Sequence, residues 1–532
     1  MARPFSPDFT TSIGPRGYTL LKSELTPEEE ARIKGMLMVK PVTQGVSYGA
    51  GNTEFPVYRE STKKLYVPRC FGETWFGKPK TCELGLGEDI DLAFQGDLKP
   101  VQVPVVETYL KHVLPGSGGA GISEGPAQGP TFGGAGLLGR EGPTFGGAGL
   151  LELPCAFGKT VLSLNIISRL KKKTLVIVNK EFLLNQWVER IGQFLPQARV
   201  GRIQGTEFDI DQKDIVLGML QSLSMKDYEP AAFASFGLVI IDEVHHISSE
   251  VFSRALFKIV RPYMLGLSAT MERKDGTTGV FKMFLGEVVF KGDRDEKHDV
   301  EVRAMEFVSR DAEFNTTEYD WKGNAKYSTM ITKLSEFNDR SEFIVRVVRD
   351  LVAEQPEAQI MILAHTRALL TYLDESIRNK GIASVGFYVG GMKEAALKET
   401  ESKQIVLATY AMAAEALDIK TLNSLVLATP KTDIVQSVGR ILRVKHEKPI
   451  VVDIVDRHEV FRKQWLQRRR YFKKCQYLVK MIASDAYPQG KWTMVYEPKK
   501  GGEDSEGEEP NVARKCLVDR TGLDFEAEEI WG

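Results

Sequence analysis

Short apolar runs recur along this chain between helical patterns, and that alternation restricts the fold more than any other feature. TLVIVN (Thr174 to Asn179), DIVLGML (Asp214 to Leu220), GLVIID (Gly237 to Asp242) and YMLGLSAT (Tyr263 to Thr270) are rich in Val, Ile and Leu. They lack the polar alternation of a strand with one face in water. Strands buried on both faces read this way, and strands separated by helices pair in parallel. A second series follows a charged stretch around Gly292 to Val302: QIMILAHT (Gln359 to Thr366), SVGFYVG (Ser384 to Gly390), QIVLATY (Gln404 to Tyr410), SLVLATP (Ser424 to Pro430) and PIVVDIVD (Pro449 to Asp456). The fold class is therefore α/β, with two tandem doubly wound parallel-sheet domains over residues 98–295 and 300–480. A small accessory domain, residues 1–97, precedes them. Its fold does not follow from the sequence, although Thr26, Pro27 and Glu29 form a helix start with a capping box.

A length of 532 residues suits roughly three or four such units. Residues 115–150 are almost all small and contain a perfect repeat, GPTFGGAGLL at Gly129 to Leu138 and at Gly142 to Leu151, which reads as a flexible insertion. Residues 481–532 form a carboxyl-terminal extension with an acidic, disordered stretch, GGEDSEGEE. No apolar run approaches the roughly 18 residues of a membrane span, and MARPFSPDFTTSIG lacks a signal-peptide core. The protein is expected to stay inside a cell, away from membranes. Five scattered cysteines, Cys70, Cys82, Cys155, Cys475 and Cys516, fit neither a disulfide framework nor a zinc site and read as free thiols. A net charge of -1 gives no global reason to expect nucleic acid. The stretch from Asp456 to Lys480, however, is basic and interleaved with aromatics. It either extends a nucleic-acid groove or packs Trp465, Phe472 and Tyr477 against the second domain.

Chemistry concentrates in four places. LELPCAFGKT (Leu151 to Thr160) ends in the residues a phosphate loop needs most, and an amphipathic helix follows it. A loop entering a helix in this way aims backbone N–H groups and the positive helix end at phosphates. Gly158 allows close approach, Lys159 can reach the β and γ oxygens, and Thr160 can ligate magnesium. The consensus asks for glycine at Leu153, or in a helicase variant at Ala156, and Gly-Lys-Thr alone also opens ordinary helices. IIDEVHH then ends a buried strand in two carboxylates, at the edge where ligands bind in open α/β sheets. Asp242 would hold magnesium and Glu243 would orient or deprotonate water. His245 and His246 could be mistaken for metal ligands, but His245 is expected instead to bond across to Ser268-Ala269-Thr270. QSVGRILR (Gln436 to Arg443) puts Arg440 and Arg443 three apart, on one helix face, where both could cross a domain interface to a γ-phosphate.

In this order FGKT, DEVHH, SAT and QSVGRILR, with VIVNKEFLLNQW and ATYAMAAEALDI between them, resemble the motif set of superfamily 2 helicases. The similarity is closer to the DNA helicases of large DNA viruses, the group that includes the poxvirus transcript-release helicase. AKYSTMITKLSEFNDRSEF and HEVFRKQWLQRRRYFKKCQY resemble the same group. The likeness runs from about Gly17 to Lys480, excluding the glycine-rich insertion. It implies two RecA-like domains that close on ATP and Mg2+, and ATP-driven unwinding or translocation, 3′ to 5′ on DNA, in viral transcription, replication or repair. Single-stranded backbone would lie in the interdomain groove, DNA being favoured over RNA, and transcription or replication machinery would be a partner. If virus-encoded, the protein would work in the host cell or virion.

The resemblance also implies roles for single residues. Gln102, in DLKPVQ, would contact adenine, with a surface glutamine opening a helix as the other reading. Ala156 and Gln436 would join Gly158, Lys159, Thr160 and Asp242 around the nucleotide. His245, Ser268, Thr270 and Asp418 would couple nucleotide to strand. Asn179, Lys180, Gln221, Ser222, His365, Thr366, Arg367, Thr409 and Tyr410 would hold a sugar-phosphate backbone. Two positions depart from the pattern: Ala156 and Ala416 stand where glycine is expected. If either needs positive φ, alanine costs about 1 kcal/mol, which lowers a rate or affinity without abolishing it. An RNA helicase and an ATP-holding scaffold without turnover are the alternatives. The presence of Glu243, Arg440 and Arg443 favours the working motor.

Overall fold

A computed structural model of the chain describes residues 5, 9–41, 54–114, 146–154, 157–246, 249–271, 277–292, 299–415, 419–442, 446 and 448–498. The first of two large sheets runs, in spatial order, Glu207–Phe208, Val200–Gln204, Ile215–Met219, Thr174–Val178, Leu238–Ile241, Tyr263–Ser268, Gly147–Glu152 and Val288–Lys291. All its pairs are parallel except the hairpin of the first two strands. The second runs Val385–Tyr388, Ile405–Thr409, Gln359–Ala364, Leu422–Leu427, Ile450–Asp456, Glu301–Phe307, Leu478–Ala483 and Thr493–Tyr496, parallel up to its final antiparallel pair. Helices cover both faces of each sheet, and separate apolar clusters fill the two sides. The tandem parallel-sheet fold is therefore present. No helix among the described residues is long and apolar enough to cross a membrane.

Three boundaries differ from the sequence reading. The sequence places the insertion at residues 115–150, but Gly147–Glu152 is a strand deep in the first sheet, while residues 115–145 lie outside the described set. Small residues are needed there for packing. A Cβ on Gly149 would fall 2.5 Å from Val289 Cγ2, and one on Gly147 would fall 2.9 Å from the Val113 Cα. Second, the extension placed after 480 begins inside the second sheet, since Leu478–Ala483 pairs with Glu301–Phe307 and with Thr493–Tyr496. The acidic stretch itself lies outside the described residues.

Third, the amino-terminal unit is not a body apart. It is a five-stranded sheet, ordered Arg59–Glu60, Lys64–Val67, Gly17–Leu21, Thr11–Gly14 and Thr81–Cys82, behind the helix Arg69–Phe76. Tyr18, Leu20, Ile33 and Phe71 share one apolar cluster with Leu150, Leu175, Val239 and Ile241 of the first large sheet. Buried Arg69 fastens the layer, its Nη1 donating to the carbonyls of Arg261 and Pro262 at 3.1 and 2.9 Å. The Thr26 capping box forms as expected, at the head of the helix Pro27–Met36. Cys70, Cys82 and Cys475 are free thiols; Cys155 and Cys516 lie outside the described residues.

Candidate nucleotide site

The phosphate-loop candidate follows the strand Gly147–Glu152 and enters the helix Lys159–Leu170. Gly158 takes φ 89° and ψ 38° at the helix cap, a left-handed conformation that favours glycine. A side chain is excluded there a second time, because a Cβ would lie 2.3 Å from Gln102 Nε2. Gln102 is 3% exposed, so it is not a surface glutamine. Its Nε2 donates to the Phe157 carbonyl at 2.7 Å while its Oε1 accepts from Lys99 N–H at 2.9 Å. The amide thus braces the loop just ahead of Gly158. Ala156 lies outside the described residues.

Lys159 Nζ lies 2.5 Å from Glu243 Oε1, joining the loop to the end of the strand Leu238–Ile241. Glu243 holds φ 49°, a conformation that non-glycine residues adopt at a cost and that clusters at functional sites. Asp242, 5% exposed, has both carboxylate oxygens engaged: Oδ1 accepts from Glu243 N–H and Oδ2 from the Trp187 indole, each at 2.9 Å. Burial, and then the charge of Glu243, push the Asp242 carboxyl up to about 6. It is a buried anion whose neighbours do not fully compensate it. With the half-buried Thr160 hydroxyl on the first helical turn, it offers the hard oxygens that a divalent cation such as Mg2+ takes. When bound there, the cation would neutralise charge on the β and γ phosphates.

His245 links this acid motif to the rest of the cleft. Its Nδ1 is 2.7 Å from Ser268 Oγ and 3.3 Å from Glu243 Oε2. Because the Ser268 hydroxyl donates to the Thr270 carbonyl, His245 Nδ1 is the donor to Ser268. That leaves His245 Nε2 to accept from the Gln436 amide of the second domain, at 3.2 Å. Ser268 reaches the acid pair through His245, and its Oγ is held on the other side by the Thr270 backbone. Nothing is described of the His246 side chain or of Asp418.

Of the two arginines expected at the cleft, Arg440 is among the described residues. The helix Val435–Arg440 stops at Arg440, and the chain turns at Ile441 and Leu442 to bury both in the domain core. Arg443 lies outside the described residues, and so does the helix face expected to carry both arginines. Arg440 Nε donates to the Ala413 carbonyl within its own domain, at 2.9 Å.

The residues expected to hold a strand form two groups. In the first domain Gln221 Nε2 donates to the Asn179 carbonyl at 2.9 Å, Lys180 stands just ahead of the helix Glu181–Phe194, and Ser222 Oγ accepts from Gly205 N–H at 2.9 Å. In the second, Thr366 caps the helix Arg367–Asn379, exposed Arg367 donates to the Gly390 carbonyl, and half-buried Thr409 ends its strand. His365 Nδ1 is 2.8 Å from Thr429 Oγ1, and its ring packs 4.8 Å from that of Tyr410. Tyr410 corrects the sequence expectation. It is buried, and its hydroxyl donates to the Thr429 carbonyl at 2.6 Å, so it supports the surface rather than offering itself to a strand. The basic helix Glu459–Lys474 takes the packing alternative, with Trp465, Phe472 and Tyr477 in the second core.

Two features went unread in the sequence. Trp187, from the NQW tripeptide, was given no role, yet its indole fixes Asp242; a helical tryptophan among apolar i, i+4 neighbours was the available signal. The turn Ala428–Lys431 is also held from several sides. Arg340 donates to the Ala428 carbonyl, Tyr327 to that of Pro430 and Arg468 to that of Lys431.

The chain is similar in sequence to known helicases. Residues 99–273 match the family model described as the type III restriction enzyme res subunit. A relative from Acanthamoeba polyphaga mimivirus, named as an ATP-dependent RNA helicase, is 32% identical over 478 residues, 88% of this chain and 86% of its own. One from African swine fever virus, also named as an ATP-dependent RNA helicase, is 27% identical over 376 residues, 65% of this chain and 73% of its own. The solved structure of UvsW from T4 aligns with a TM-score of 0.33 and 16% identity, covering 86% of this chain and 96% of that one.

Proposed function

Because this chain belongs to the superfamily 2 helicases of large DNA viruses and hydrolyses ATP, we propose that the cleft just described drives it along single-stranded DNA and unwinds duplex. The observation that carries the reading is the unbroken line of contacts Lys159–Glu243–His245–Gln436, which runs from the phosphate loop to the second domain. An arriving triphosphate would take Lys159 away from Glu243. The freed carboxylate then accepts the proton of a water that attacks the γ-phosphorus as the bond to ADP breaks. Asp242 and Thr160 would hold Mg2+, and Gln102, which braces the loop through the Phe157 carbonyl, would lie beside adenine. Loss of the phosphate changes what His245 and Gln436 report across the cleft, so the two domains alternate between closed and open states of different affinity for the strand.

The strand path combines Asn179, Lys180, Gln221 and Ser222 with Thr366, Arg367 and Thr409, suited to sugar and phosphate and carrying no base code. DNA is our preferred substrate, since the matched family model is described as a restriction-enzyme subunit. RNA is the second reading, favoured by the names of the mimivirus and swine fever relatives. The test is ATPase activity with single-stranded DNA, single-stranded RNA and duplex, alongside Glu243→Gln. Stimulation by DNA supports the proposal, stimulation by RNA alone transfers it to RNA, and no stimulation by either rejects it.

A further inference from the structure

The segment ahead of Tyr327 holds its aromatics outward on a stiffened turn. Trp321 is 79% exposed and Tyr319 is 53% exposed. Exposed single aromatics are ordinary on protein surfaces, but this one is carried on a turn whose backbone is held by several hydrogen bonds. Asp320 Oδ1 accepts from the N–H groups of Lys322 and Asn324, each at 2.9 Å. Asp320 N–H donates to the Asn324 carbonyl at 2.8 Å, and Gly323, at φ 80°, donates back to Asp320. Tyr319 bridges Ala325 in antiparallel fashion, and Lys326 N–H closes on the Glu318 carbonyl. The Lys322 ammonium stands over one face of the indole, 4.7 Å from its centre.

The turn leads directly into the strand-binding edge. Tyr327 follows Trp321 by six positions, its hydroxyl donates to the Pro430 carbonyl, and its ring is 6.1 Å from that of His365. Six residues span at most about 20 Å even when extended, so the indole sits within a few nucleotides of Thr366 and Arg367. The observations therefore combine an exposed indole on a hydrogen-bonded turn, a cation over one of its faces and continuity with a path for sugar-phosphate backbone. We propose that Trp321 is a stacking platform for an unpaired base of the bound single strand. This rests on the nucleic-acid reading above. Stacking tolerates any base, which suits a protein that moves along its substrate.

The test uses the full chain and labelled dT20 and rU20, with binding followed by anisotropy over a range of salt. Trp321→Ala is expected to weaken single-strand affinity about tenfold, the size of one lost base stack, with an unchanged salt slope because no phosphate contact is lost. Trp321→Phe should recover most of the affinity, and a thermal melt like that of wild type shows that the fold is intact. If wild type binds and Trp321→Ala matches it within twofold, the proposal is overturned while the helicase reading stands. A changed salt slope, or Trp321→Phe no better than Trp321→Ala, also overturns it. Failure of wild type to bind either strand overturns both.

Discussion

Lys159 and Glu243 neutralise each other at 2.5 Å, so the cation meant for phosphate and the anion meant for water are each other's partner before ATP arrives. Glu243→Gln should therefore move binding and turnover in opposite directions. Affinity for a fluorescent ATP analogue should rise several-fold as Lys159 is released, while kcat should fall by roughly 10²–10⁴, the usual worth of a positioned base. A variant turning over within threefold of wild type would remove Glu243 from that role.

Trp187 gives a second handle on the same centre. Trp187→Phe keeps the ring in its pocket and deletes only the N–H that Asp242 Oδ2 accepts. Losing a donor to a buried carboxylate should cost about 1–3 kcal/mol in denaturant unfolding. It should also raise the Mg2+ concentration for half-maximal ATPase several-fold, which a purely structural loss would leave unmoved.

The raised Asp242 carboxyl sets a pH dependence. Only its ionised form suits a cation, so ATPase activity should climb as pH rises through about 6. Higher Mg2+ should shift that limb to lower pH, because metal and proton compete for one carboxylate. For folding the sign is opposite. A carboxyl held above its unfolded value stabilises the fold at low pH, and that contribution is lost as pH rises through about 6.

His365 behaves the other way. Burial, aided by Lys431, lowers it to about 4. The folded domain keeps the ring neutral where the unfolded chain, near 6.5, takes up a proton. Stability present above 6.5 should therefore drain as pH falls toward 4, by about 3 kcal/mol. His365→Gln should flatten this part of the melting-temperature profile.

The buried pair Arg340 and Asp456, 0% and 1% exposed with Nε and Oδ1 2.7 Å apart, supports the turn beneath the strand path. Arg340→Met strands a carboxylate in the core and should cost about 3–5 kcal/mol by chemical denaturation. Adding Asp456→Asn should restore part of that loss, whereas a double-variant cost equal to the sum of the two single-variant costs would show that the two side chains act independently.

The central strands were legible because burial on both faces leaves nothing but Val, Ile and Leu. The strands that escaped had other constraints. Gly147–Glu152 hides among small residues that tight packing requires. Glu301–Phe307 carries Glu301, Arg303 and Glu306, charges that look exposed until Lys480, Glu354 and Arg457 pair with them from distant positions. The same separation explains the site. Gly158, Lys159, Asp242 and Glu243 announce themselves locally, whereas Trp187 meets Asp242 across 55 positions and Tyr410 turns inward only because Thr429 receives it.

The shared core beneath Tyr18 and Phe71, bolted by Arg69, makes the amino-terminal layer a fixed outrigger of the first lobe. A dye or cargo attached to that layer would be carried through each stroke like a mast on a hull, reporting the lobe's rotation rather than any swing of its own.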